Sequence, residues 1–289
     1  MRKIRNLFII ALLLIIAVFI STRVKKQAED QNFISKAVYL YNLTDDKEVL
    51  AKNENERLPM ASLTKIMTVR VALKHIKDLG QIAPVDTDAY YRAVEMNASM
   101  AGFNGGETTT YRDLLYATML RSAGEAADSL AINISGSMDN FVDLMNQEAK
   151  DLKLKNTSYA NADGMDNPSN YQSAKDCAML IKDSLKDGNF RAIFTKKDFK
   201  TSPTVNHPDG VYLESTIFHH LKKYQQNGFE IIGGKSGTTD DAGLCWATLA
   251  VKNNKEYILV VMGVPYDNIN NLNDGHIEET LRIYESIGD

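Results

Sequence analysis

Three short segments carry residues whose types and spacing suit acyl-transfer chemistry. In Ser62-Leu63-Thr64-Lys65 a hydroxyl and an amine stand three positions apart. If Ser62 opens a helix, Lys65 lies one turn on, on the same face, and the two side chains can meet. The backbone N–H groups at such a helix start favour negative charge developing on the serine. A serine nucleophile needs a base, and this spacing supplies one without histidine. Read alone, the same four residues are far more often a helix cap beside a solvated lysine.

The second segment is Ser122-Ala123-Gly124, where a serine on a neighbouring element can relay a proton between Lys65 and a leaving amine. The third is Gly233-Gly234-Lys235-Ser236-Gly237-Thr238-Thr239, at the end of an apolar run that reads as a strand. Gly237 lets a substrate lie close to the strand backbone. Lys235 offers a fixed positive charge, and Ser236, Thr238 and Thr239 offer hydroxyl donors suited to a carboxylate. The N–H of Thr238 can pair with that of Ser62 as an oxyanion hole. A second lysine also has a use beyond binding. A free lysine has a pKa of about 10.4, so roughly one in 2,500 is neutral at pH 7. Partial burial and a nearby cation both lower that value, and only neutral Lys65 can take the proton of Ser62.

The elements that must position these groups follow from periodicity. Residues 37–43 and 48–51 read as strands joined at Asp45-Asp46. Apolar spacing predicts helices over 62–79, 110–134, 141–152 and 174–185. Residues 229–235, 244–251 and 257–264 read as strands, and 275–287 as a closing helix. Strands thus bracket a helical middle. That order implies an α+β fold in which one antiparallel sheet, built from both chain ends, is flanked by helices.

Composition sets the frame. The chain has 289 residues and a net charge of -4, with no basic stripe, which gives nucleic acid no purchase. Cys177 and Cys245 fit no metal-ligand spacing; two buried thiols are the plainer reading, with a disulfide as the alternative. His219 and His220 are adjacent and would face opposite ways on a strand, so no metal is expected there. No cofactor is implied. Arg2, Lys3 and Arg5 precede an unbroken apolar run over 7–20, the pattern of an export signal. No small-residue pair marks a good cleavage site, so the reading is an uncleaved membrane anchor, with a cleaved signal and a secreted product as the alternative. Residues 1–32 then form anchor and stalk, and 33–289 one folded unit on the extracytoplasmic face of the membrane.

Together and in this order, the three segments resemble the S-x-x-K, S-x-N and K-T-G set of penicillin-binding proteins and serine β-lactamases. PMASLTKIMT, GETTTYRDLLYATMLRSAGEAADSLA, FVDLMNQEAKDLKLKNTSYANADGMDNP and GGKSGTTDDAGLC are similar to segments of the low-molecular-weight D-alanyl-D-alanine carboxypeptidases. The resemblance implies Ser62 as acyl-ester nucleophile, Lys65 as general base, Ser122 as proton relay and Lys235 as ligand of the substrate carboxylate. It implies peptidoglycan stem peptides ending in D-Ala-D-Ala as substrates and β-lactams as covalent inhibitors. Three departures stand out: Gly124 where the family usually has Asn, Ser236 for Thr, and Met60 for Pro. The C-terminus is expected to leave no room for the extra β-domain of many relatives. No Glu occurs between Lys150 and Leu213, which argues against the deacylating glutamate of a class A β-lactamase. A non-catalytic peptidoglycan or β-lactam sensor and a transpeptidase are the alternatives.

Overall fold

The computed structural model describes residues 32–267 and 272–288. The expected anchor lies outside the described residues, and among these no helix is long and apolar enough to cross a membrane. The chain opens with β1 (Ala37–Asn42) and β2 (Lys47–Lys52), antiparallel across the Asn42–Lys47 pair. A 3-10 turn, Ala61–Leu63, runs into α1 (Thr64–His75). Then come β3 (Ile82–Pro84), α2 (Thr87–Glu95), β4 (Thr108–Thr110), α3 (Tyr111–Leu120), α4 (Gly124–Ser135), α5 (Met138–Asp151), α6 (Ala174–Ser184) and α7 (Gly188–Phe194). A short hairpin, β5 (Asp198–Lys200) and β6 (Tyr212–Glu214), leads to α8 (Thr216–Leu221). The chain closes with β7 (Glu230–Thr239), β8 (Gly243–Lys252), β9 (Lys255–Val264) and α9 (Gly275–Ser286).

The main sheet has the order β2-β1-β9-β8-β7, all antiparallel, so both chain ends build it as the strand–helix–strand order implies. Its central strands read as near-continuous apolar runs because both faces are covered. Ala37, Tyr39, Ala247, Leu249, Ile258 and Val260 face the helical layer. Their alternates Val38, Leu40, Trp246, Leu259 and Val261 pack with Ile277, Ile283 and Tyr284 of α9. The period of two thus feeds two cores from the same strands. Each fully buried aliphatic side chain contributes about 2 kcal/mol.

Three expectations need correcting. The helix expected over 110–134 is two helices, α3 and α4. A Thr110–Asp113 capping box opens the first, and the chain breaks at Ser122, whose φ is 59°. That left-handed backbone cannot continue a helix, and for a non-glycine residue it carries strain. His219 and His220 lie on helix α8, not on a strand, with the turn chemistry of Ser215 preceding it. The strand bearing the third segment is longer than expected: β7 continues through Thr239.

Candidate active site

Ser62 sits in the 3-10 turn that precedes α1. Ala61 before it has φ 48°, and Thr64 after it donates from Oγ1 to the Ala61 carbonyl at 2.9 Å. Asn170 donates to Thr64 Oγ1 at 3.3 Å. The Ser62 turn is thereby held from within and from a distant loop. Lys65, in the first turn of α1 and 3% exposed, donates to Ser62 Oγ at 3.1 Å and also to the Asp163 carbonyl. Burial drives the Lys65 amine below the ordinary lysine range, opposed in turn by the carboxylates of Asp163, Asp128 and Glu125.

The helix break places Ser122 opposite the sheet. Lys235, fully buried on β7, donates to Ser122 Oγ at 2.8 Å and to the Ser236 carbonyl at 2.6 Å. Its amine is pulled well below the ordinary range, first by burial and then by repulsion from Lys65. Four groups from three separate segments therefore form two serine–lysine pairs in one electrostatic neighbourhood. A Cβ at Gly237 would lie 2.8 Å from the Ser62 backbone nitrogen, so β7 runs directly against the Ser62 turn at that position. β7 is also the edge of the sheet, with one side paired only to β8. An edge strand offers unpaired N–H and C=O groups for an extended peptide to join.

The hydroxyls of the third segment divide. Ser236 Oγ lies 2.7 Å from Thr216 Oγ1 at the start of α8. Thr238 is half-buried beside Gly237. Thr239 donates to Asp166 Oδ1 at 2.5 Å and accepts from the Ala242 N–H at 3.3 Å, so its hydroxyl is already engaged. Gly124 opens α4, its N–H bonded to the Ser99 carbonyl at 2.8 Å. A Cβ there would stand 3.1 Å from the Ala98 Cβ, so the segment before β4 fills the space an amide side chain would enter.

Sequence reasoning did not single out the loop 161–170, which forms the back wall. Asn161 accepts from the Gly164 N–H at 2.8 Å and donates to the Met165 carbonyl at 2.9 Å. Gly164 has φ 85°, and a Cβ on it would fall 2.1 Å from the Ala61 carbonyl oxygen. Asp166 ties this loop to the β7–β8 turn through Thr239 and the Asp241 N–H. The stretch NADGMDNP was legible only as likeness; nothing in its composition announces a wall. Thr216 was missed as well, since its partner lies 20 residues on. Cys177 and Cys245 are buried free thiols. Among the described residues no group of three or more His, Cys, Asp or Glu side chains is arranged to hold a metal.

The family model for D-alanyl-D-alanine carboxypeptidases matches residues 24–266. The chain belongs to that family. It is 34% identical over 234 residues to the D-alanyl-D-alanine carboxypeptidase DacF of Bacillus subtilis, covering 79% of this chain and 57% of that protein. It is 30% identical over 242 residues to DacC of Escherichia coli, covering 81% of this chain and 58% of that protein. The chain therefore spans less than three-fifths of these curated relatives. The crystal structure of the Streptomyces K15 DD-transpeptidase superposes with a TM-score of 0.73 at 27% identity, covering 82% of this chain and 92% of that one. The family's fold, an antiparallel sheet flanked by helices, is the one observed.

Proposed function

We propose that this protein is a serine D-alanyl-D-alanine carboxypeptidase that removes the terminal D-Ala from peptidoglycan stem pentapeptides. The observation that carries the reading is the buried Lys65 amine bonded to Ser62 Oγ at 3.1 Å. Neutral Lys65 accepts the Ser62 proton as Oγ attacks the penultimate D-Ala carbonyl. The oxyanion forms beside the Ser62 N–H and β7, where fixed donors stabilise it. The C–N bond then breaks, and the leaving amine takes that proton from Lys65 through Ser122, which Lys235 holds. Water next attacks the ester and gives its proton to Lys65, which returns it to Ser62 Oγ as the ester bond breaks and the shortened peptide is released. Lys235, with Ser236 and Thr238, receives the substrate carboxylate, and Thr239 acts through Asp166. A β-lactam enters the same steps and remains as a penicilloyl ester. The reading includes an exported chain, residues 1–32 as anchor and stalk, and the catalytic unit on the extracytoplasmic face.

The test is incubation with a pentapeptide ending in D-Ala-D-Ala and assay of free D-Ala. Release by the wild type and none by Ser62→Ala is expected; no release and no penicillin labelling by folded wild type would sink the reading. Gly124 favours one variant of it, a weak hydrolase that senses β-lactam, because no amide stands there to align the substrate backbone. That variant predicts labelling without D-Ala release.

A further inference from the structure

The backbone of Ser122 needs support from outside its own turn. Its φ of 59° is strained for a serine, and such strain persists where the surroundings enforce it. The enforcing segment is 99–102, between α2 and β4. Bonds run between this segment and the start of α4 in both directions. The Gly124 N–H donates to the Ser99 carbonyl at 2.8 Å. In return the N–H groups of Ala101, at 2.7 Å, and Gly102, at 3.4 Å, donate to Glu125 Oε1. Ala98 closes the contact, since a Cβ at Gly124 would stand 3.1 Å from its Cβ. The strained hydroxyl at Ser122 and its anchorage at Gly124 and Glu125 thus follow one another along the chain.

Glu125 is fully buried and has no part in the reaction above. Its Oε2 has no hydrogen-bond partner. A buried carboxyl with one oxygen unsatisfied costs stability, so an apolar side chain would fill the same space better. What an apolar side chain lacks is an acceptor for the N–H groups of residues 101 and 102. The near end of the segment leaves a helix already fixed to α4. Arg92 of α2 donates to Asp128 Oδ2 at 2.6 Å, and the Asp86 N–H before α2 donates to Ser129 Oγ at 2.9 Å. The far end is held to α4 by Glu125.

We infer that Glu125 is a positioning residue: by clipping residues 101 and 102 to the start of α4, it keeps Ser122 Oγ where a leaving amine takes its proton. The clip fixes the backbone, and the 2.8 Å bond from Lys235 then aims the hydroxyl. Glu125 touches no reacting atom. The inference rests on Ser122 being the proton relay of the proposed reaction.

A role through the relay has a chemical signature. A leaving amine needs a proton as the C–N bond breaks, whereas a thiolate departs without one as a C–S bond breaks. A displaced Ser122 therefore slows cleavage of an amide and spares a thioester of the same acyl group. A damaged fold, or a change at Ser62 or Lys65, slows both.

The experiment measures kcat/KM of the full chain for a peptide ending in D-Ala-D-Ala and for the matching thioester, with thermal melts. Glu125→Ala removes the acceptor, Glu125→Asp keeps the charge but shortens the reach, and Glu125→Gln keeps an oxygen at the same reach. A displacement well under 1 Å should cost the Ala and Asp variants about tenfold on the peptide and less than about twofold on the thioester. Gln should stay within about threefold of wild type on both, and Glu125→Ala added to Ser122→Ala should cost nothing more. Equal losses on the two substrates, additive losses in the double variant, Ala and Asp variants as fast as wild type, or a Gln variant as slow as Ala overturn the inference. If one of the Ala and Asp variants fails to melt cooperatively, the other carries the comparison; failure of both makes Glu125 a residue of the fold alone and also overturns it. Wild type that releases no D-Ala sinks the proposed function itself, which separates the two failures.

Discussion

Gly237→Ala is the substitution with the most calculable effect. Its Cβ would lie 2.8 Å from the Ser62 nitrogen, 3.0 Å from the Ala61 Cβ and 3.2 Å from the Leu63 nitrogen. A comfortable contact needs about 3.5 Å, so strand and turn must part by roughly 0.7 Å. None of those atoms is the far end of a flexible side chain, so the backbone has to give. The displaced group includes the Ser62 N–H, which the proposed reaction uses as an oxyanion donor. Loss of such a donor costs about 3 kcal/mol, on the order of 100-fold in rate. A misplacement near 1 Å carries a comparable cost. The assay is the second-order rate of penicillin acylation, read beside the melting temperature. The expected result is a rate lower by roughly two orders of magnitude in a protein that still melts cooperatively. Acylation within about threefold of wild type would show that the turn and β7 do not jointly form the oxyanion site.

Three further outcomes follow from the same geometry. Because burial lowers the Lys65 amine below the 10.5 of a free lysine, and the neutral form is the base, acylation should rise with pH and reach its midpoint below that value; a midpoint at or above it refutes the assignment. Lys235 is held well below 10.5 by burial, so between its folded value and 10.5 the unfolded chain binds a proton that the native state does not, and stability rises with pH across that window. Lys235→Met should flatten this slope in urea melts, and an unchanged slope would refute it. Thr216→Val removes the hydroxyl 2.7 Å from Ser236 Oγ; at about 1 kcal/mol per neutral hydrogen bond, KM for a D-Ala-D-Ala peptide should rise roughly fivefold with kcat little changed, and an unaltered KM would remove Thr216 from the site.

The sequence made some of this visible and hid the rest for physical reasons. Ser62 and Lys65 could be read because their contact is local, one turn apart, and local geometry is dictated by spacing. The sheet could be read because β1, β8 and β9 are short apolar runs rich in β-formers and bounded by turn signals. The break at Ser122 was invisible because apolar residues on both sides keep helical spacing. Only a left-handed φ, which tertiary packing imposes, interrupts them. The Lys235–Ser122 bond spans 113 residues and the Asp166–Thr239 bond 73. No periodicity encodes such pairs. The likeness to relatives singled out Ser122 and Lys235 but said nothing of Thr216.

The sheet order has a consequence for timing. Lys235 reaches its place only through β8 and β9, and the other neighbour of β9 is β1, where Ala37 lies opposite Met262. Ser62 and Lys65 are made early and can meet locally, yet Lys235 and the strand edge beside them wait for a closure across more than two hundred residues. A chain still emerging from the ribosome therefore carries the Ser62–Lys65 pair without the rest of its surroundings until β7, β8 and β9 are released, so the proposed reaction has no complete site before then.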